Sequence, residues 1–134
     1  MCGFVGYVGK QNEKVLRNMA DKIIHRGPDS DGYFLSDKVN FGFRRLSIIG
    51  LDKNSSQPMY NEDKSMVIVF NGEIYNYQDL KQDLIKKGHK FKSKSDTEVL
   101  IHGYEEYKEE MLNKLRGMFA FVIYDIKNDL LFGA

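Results

Sequence analysis

Apolar and polar positions follow one another along this chain in two rhythms, and each change of rhythm marks an element. Residues 4–8 interleave Phe4, Val5, Tyr7 and Val8 with glycine, the pattern of a short buried strand that other backbone can approach closely. Over residues 13–24 the spacing changes to three and four, so that Val15, Leu16, Met19 and Ile23 form one apolar helix face. His25-Arg26-Gly27-Pro28-Asp29 ends that helix, because proline restricts the residue before it and glycine frees the backbone. Two strand-like runs, 32–35 and 39–45, flank a polar Ser-Asp-Lys turn and predict a hairpin. Residues 52–57 read as polar loop. Residues 66–70 are apolar without interruption, as in a strand covered on both faces, and the run stops at Asn71-Gly72.

Beyond that point the spacing predicts a helix over 77–87, with Leu80, Leu84 and Ile85 inward and Gly88 as its stop. Ser95-Asp96-Thr97-Glu98 has the form of a capping box opening a further helix, with Val99, Leu100, Tyr104 and Tyr107 along one side. Residues 118–124 read as a buried strand, 125–129 as a turn and 130–134 as the start of a partner strand. A domain ending inside an apolar strand would leave edge groups unpaired, which predicts that the chain is part of a longer protein.

Composition narrows the class. With 134 residues, 42% of them hydrophobic, the chain supplies one globular domain. Twenty basic against nineteen acidic residues leave a net charge of +1, so no global field draws nucleic acid or an anionic membrane. Lysines gather between residues 81 and 94 and Glu98, Glu105, Glu106, Glu109 and Glu110 follow; these read as solvated helix faces, with no aromatic stacking motif for nucleic acid. The single cysteine excludes an internal disulfide, and neither a membrane-spanning run nor a signal peptide is visible. A cytoplasmic, reducing setting is expected.

That cysteine is residue 2. Removal of Met1 would put a free α-amine and a thiol on one residue, the amine with a pKa of about 7.7–8.0 and the thiol of about 8.5, so that the base sits beside its nucleophile. The competing reading of Cys2 is a small apolar start to a strand. His89 and His102 have no metal-ligand spacing, and there is no phosphate-cradling GxxxxGK, so neither a metal nor a cofactor is expected in this chain.

The motifs decide between the readings of Cys2. Met1-Cys2-Gly3, His25-Arg26-Gly27-Pro28-Asp29, Arg44-Arg45-Leu46-Ser47-Ile48-Ile49, Asn71-Gly72-Glu73-Ile74-Tyr75-Asn76-Tyr77, Ser95-Asp96-Thr97-Glu98 and Leu115-Arg116-Gly117-Met118-Phe119-Ala120-Phe121 run from one end of the chain to the other. In that order they resemble the class II, N-terminal-nucleophile glutamine amidotransferases, and most closely the asparagine synthetase branch. Phe43 and Gly50 stand where many members of that branch have histidine and aspartate.

The resemblance implies an α+β fold, a four-layer αββα sandwich truncated at its C-terminus, with residues 2–134 as the glutaminase domain. It assigns catalysis to Cys2, Asn71 and Gly72, and the glutamine pocket to Arg45, Leu46, Ser47, Ile48, Ile49, Asn71, Gly72, Glu73 and Asp96. Each assignment has a chemical basis. A thiolate attacking an amide carbonyl creates an oxyanion that needs fixed donors, which the Asn71 side chain and the Gly72 N–H can supply. An arginine fork suits the α-carboxylate of free glutamine, and Asp96 with Glu73 suits its α-ammonium. On sequence alone Asn71-Gly72 also fits an ordinary hairpin turn, and Asp96 a first-turn helix acid. His25 and Arg26 are read as structural, fixing the loop beside the pocket.

On the same resemblance the partners are the small molecule glutamine and a C-terminal synthetase domain outside this chain, where ATP and magnesium would bind. That domain would make asparagine from aspartate. A homodimer is compatible with this reading. The alternatives are a glutaminase domain serving another acceptor, or a non-catalytic glutamine-binding copy.

Overall fold

The computed structural model describes residues 2–46 and 55–134. The N-terminal glycine-spaced run forms β1 (Gly3–Val8), and the predicted hairpin forms β2 (Ser30–Phe34) and β3 (Val39–Arg45). Both β1 and β2 pair antiparallel with β3, in the order β1-β3-β2. Between them lies α1 (Glu13–Lys22), capped by the Asn12 side chain, which accepts the Val15 N–H, and followed by a 3₁₀ turn over Ile24–Arg26.

The second sheet has the order β4-β5-β6-β7, from β4 (Met59–Tyr60), β5 (Met66–Ile74), β6 (Gly117–Asp125) and β7 (Leu130–Gly133). Its helices are α2 (Tyr77–Lys86) and α3 (Asp96–Tyr107), with a 3₁₀ segment over Lys108–Lys114. The alternation of side chains along β5 explains its uninterrupted apolar sequence. Val67 and Val69 face the first sheet and pack with Phe34, Val39, Phe41 and Tyr124. Ile68, Phe70 and Ile74 face the other way, onto Leu100, Ile101 and Tyr104 of α3 and Met111 beyond it. Because α1 covers β1 and β3 while α3 covers β4 and β5, the layers run helix, sheet, sheet, helices. This is the αββα order expected.

Several local expectations change. The run at 66–70 does not stop at Asn71-Gly72: β5 continues through both residues to Ile74, paired with β6 throughout, so the turn reading is excluded. Leu16 and Ala20 form the inward face of α1, with Val15 exposed, and in α2 Leu84 is buried while Ile85 faces water. β1 is only half buried, as the outer strand of its sheet, with Val8 exposed. Gly88 does stop α2, at φ +100°.

Ser95 caps α3 by accepting the Thr97 N–H. Glu98, however, does not close a capping box. It is buried and accepts hydrogen bonds from the Lys92 and Ser93 N–H groups and the Ser93 hydroxyl. Burial works to raise its pKa, but the facing His102 ring and these donors overcome that and hold it at about 2. His102, itself buried, is raised to about 9 because Glu105 and Glu98 outweigh its desolvation. Glu98 and Glu105 are thus not part of a solvated face. They turn inward to compensate a buried imidazole, which the charge pattern alone could not reveal.

Candidate active site

Cys2 is half-buried just ahead of β1. Its thiol lies against the end of β3, where the Leu46 N–H donates to Sγ at 3.4 Å and Sγ contacts the Leu46 carbonyl at 3.8 Å. Gly3 pairs with Arg44, so one step further the ladder sets Cys2 opposite Arg45. The loop after α1 secures this end of the sheet. Arg26 Nε donates to the Cys2 carbonyl at 3.1 Å, and the Asp29 N–H donates to the Arg45 carbonyl at 3.1 Å. A Cβ on Gly27 would lie 2.4 Å from the Arg44 carbonyl carbon and 2.6 Å from the Arg45 nitrogen, so only glycine lets the loop sit this close. His25 is exposed. Of His25-Arg26, it is Arg26 that ties this loop to the residue ahead of β1.

The two adjacent arginines diverge, as neighbours on a strand must. Arg44 is buried toward α1, where it pairs with Asp21 and donates to the Ala20 carbonyl at 3.3 Å. Arg45 takes the face of Phe41 and Phe43, the face that meets the second sheet.

A second group gathers where β5 leaves the core. Asn71 shares the inter-sheet face with Val67 and Val69, and Cys2 shares that of Phe4, which packs against the same cluster; β1 lies against β5. Strand periodicity therefore turns Cys2, Arg45 and Asn71 into the layer between the sheets. Gly72, at φ +147°, presses so closely on β6 that a Cβ would meet the Met118 carbonyl oxygen at 2.2 Å. Asp96, the first residue of α3, accepts the Ile74 N–H at 3.0 Å. Burial, and also the charge of Glu73, raise the Asp96 pKa above the ordinary carboxylate value, against the pull of neighbouring backbone N–H groups. Of the predicted pocket, the structure brings together Cys2 with Arg45 and Leu46, and Asn71 and Gly72 with Glu73 and Asp96. Ser47, Ile48 and Ile49 lie outside the described residues.

Motifs some forty residues apart close the β5–β6 end. The Tyr75 N–H donates to the Arg116 carbonyl at 2.7 Å, the Asn76 side chain accepts the Arg116 N–H at 2.9 Å, and its amide donates to the Lys114 carbonyl at 2.8 Å. Sequence reading missed Gln57 within its polar loop. Gln57 Oε1 accepts the Phe70 N–H at 2.6 Å, and its Nε2 donates to Thr97 Oγ1 at 3.4 Å, tying β5 to the start of α3. No pattern in the sequence marks it, because its partners are backbone and a distant helix turn.

A family model described as a glutamine amidotransferase domain matches residues 1–134. Asparagine synthetase [glutamine-hydrolyzing] 1 of Bacillus subtilis is 51% identical across the whole chain, which covers 22% of that protein. Asparagine synthetase [glutamine-hydrolyzing] 2 of Oryza sativa subsp. japonica is 41% identical over 96% of the chain and 22% of its own length. The chain thus spans about a fifth of these curated relatives. The solved glutamine phosphoribosylpyrophosphate amidotransferase of Bacillus subtilis superposes over 94% of the chain and 35% of its own, with TM-score 0.76 at 20% identity, and so shares the fold. With the family model matching end to end, the chain belongs to the glutamine amidotransferase domain family.

Proposed function

We propose that the chain is the glutaminase part of an asparagine synthetase, hydrolysing free glutamine to glutamate and ammonia through a Cys2 thioester. The observation that carries the reading is the convergence of Cys2, Arg45 and Asn71 on one inter-sheet layer, with Asp96 held at the end of the strand that bears Asn71 and Gly72.

Once Met1 is removed, the α-amine of Cys2 takes the thiol proton and the sulfur attacks the glutamine side-chain carbonyl. The oxyanion forms against the Asn71 amide and the Gly72 N–H. Strand alternation supports the second donor. The Phe70 and Ile74 N–H groups leave β5 on its far side from β6, toward Gln57 and Asp96, and alternation aims the intervening Gly72 N–H the same way. The C–N bond then breaks, ammonia leaves with the proton from the amine, and a thioester remains. Water, losing its proton to the same amine, attacks the thioester and releases glutamate.

Arg45 suits the α-carboxylate of the substrate, and Asp96 with Glu73 the α-ammonium; Leu46 and the following Ser47-Ile48-Ile49 would complete the wall. This chain's residues hold no ATP or magnesium in the reading. Those belong to a C-terminal synthetase domain that would use the ammonia on aspartate, in the cytoplasm. Comparing free glutamine with N-acylated glutamine tests the assignment, since both groups that flank the free Cα are recognised. A strong preference for free glutamine is expected, and equal turnover would overturn it.

A further inference from the structure

A second cluster of chemically active side chains lies away from that pocket. Glu62 from the β4–β5 connection, His89 from the α2–α3 connection, and His102 and Glu105 from α3 each bring one ligand atom within 4.8 Å of all the others. Three separate stretches of chain meet there, which is why sequence spacing gave no sign of it. We propose that these four residues bind one divalent first-row transition cation, of which Zn²⁺ is the representative probe.

The donor chemistry fits. Two imidazoles, His102 giving up its proton on binding, and two carboxylates suit a borderline four-coordinate ion, and their combined charge of −2 then balances M²⁺. The outer contacts fit as well. Metal-bound histidine characteristically gives its second ring N–H to a carboxylate. His89 turns Nδ1 inward, 3.6 Å from Glu105 Oε2, while its Nε2 meets Glu106 at 3.0 Å. His102 repeats this arrangement, with Nδ1 on Glu105 Oε2 at 2.7 Å and Nε2 toward Glu98. The carboxylates are held from behind too. Glu105 Oε1 accepts from the Asn61 amide at 2.6 Å, and Glu62 Oε1 accepts the Lys90 N–H at 2.9 Å.

His102 Nε2, a fully buried nitrogen, has no hydrogen-bond partner among the described residues and lies 3.7 Å from Glu98 Oε1. A ring shift of about 0.7 Å toward Glu98 would complete that bond. Moving the ring that way would also lengthen the 2.7 Å Nδ1–Glu105 contact, toward the roughly 3.4 Å edge of a tetrahedron built on metal–ligand bonds of about 2.0–2.1 Å. A cation between Nδ1 and Glu105 would hold the ring there, displacing the proton now shared between them. Glu62 is exposed and gives the ion a path in. Bound metal would clip the connection that runs through Ser93 to Asp96, and so steady one wall of the pocket.

The test is Zn²⁺ titration of the chain by calorimetry, with metal analysis after dialysis. It is run on Cys2→Ala, so that the terminal thiol cannot supply the site. One equivalent is expected. His89→Asn and Glu62→Gln, both at the outer side of the cluster, should each weaken binding at least tenfold, and Glu106→Gln by about tenfold. Co²⁺ should give the visible bands of a four-coordinate ion, lost in His89→Asn. The proposal is overturned if Cys2→Ala takes up no Zn²⁺, or if His89→Asn and Glu62→Gln bind one equivalent with unchanged affinity. Because the readout is metal binding and not glutamine turnover, failure here leaves the glutaminase reading untouched.

Discussion

Replacing Gly72 by alanine separates two costs that the structure assigns to that position. The first is conformational: at φ +147° an L side chain is strained. The second is steric, since the new Cβ would lie 2.2 Å from the Met118 carbonyl oxygen and 2.6 Å from Phe119 Cα, both of them backbone that cannot swing aside. Gly88 provides the reference, because it has φ +100° with nothing among the described residues within 4 Å of its Cβ position. Gly88→Ala should therefore show the conformational cost alone, about 1–2 kcal/mol. Gly72→Ala should add an overpacking cost of about 1–3 kcal/mol, for a total of about 2–5 kcal/mol. Urea denaturation of the two variants measures the difference, read from the midpoint at constant slope. If Gly72→Ala were no more destabilising than Gly88→Ala, the close approach of β5 and β6 at this point would be wrong. Where the variant stays folded, glutaminase activity should still fall about a hundredfold, because the Gly72 N–H moves with the strand.

Other perturbations probe the remaining parts. Arg44→Ala should destabilise the fold by about 2 kcal/mol in thermal or urea unfolding, through loss of its bonds to Asp21 and the Ala20 carbonyl. Arg45→Ala should instead raise KM for glutamine, and steady-state kinetics with folding controls distinguish the two arginines. Gln57→Ala leaves the Phe70 N–H without its acceptor and should cost about 1–3 kcal/mol in urea unfolding. For pH, the raised Asp96 pKa means that folded protein holds this proton more tightly than unfolded chain, so acidification through that range favours folding at this residue. It also neutralises the carboxylate that would grip the ammonium. Glutaminase kcat/KM should therefore fall toward acid, and Glu73→Gln, which removes a like charge, should move that limb to lower pH; an unmoved limb would refute the coupling.

The elements were legible where one rhythm governs a whole segment. The valines of β5, the hairpin of β2 and β3, and the strands β6 and β7 all stand where their patterns predict. The errors have a common cause: tertiary contact outweighs a local signal. Asn-Gly ordinarily turns a chain, yet here β6 pairs with both residues and draws them into a strand, with Gly117 and Gly72 allowing the close approach. Glu98 fits a capping box by spacing, but the buried His102 and the Lys92-Ser93 amides compete for it and win. The candidate site was legible in a different way. Motifs named Cys2, Arg45, Asn71, Gly72, Glu73 and Asp96, but no local pattern could supply Gln57, or the packing of Gly27 on Arg44. These depend on which backbone the fold lays alongside.

Intact-mass spectrometry of the purified chain tests directly whether Cys2 is an N-terminal nucleophile in a formed glutamine pocket. The chain is measured before and after exposure to a glutamine-shaped electrophile, with excess free glutamine and Cys2→Ala as controls. The prediction is a chain lacking Met1 that gains one adduct, blocked by glutamine and absent in Cys2→Ala. A chain that has lost Met1 yet gains no adduct, or one that gains the same adduct without Cys2, would contradict it.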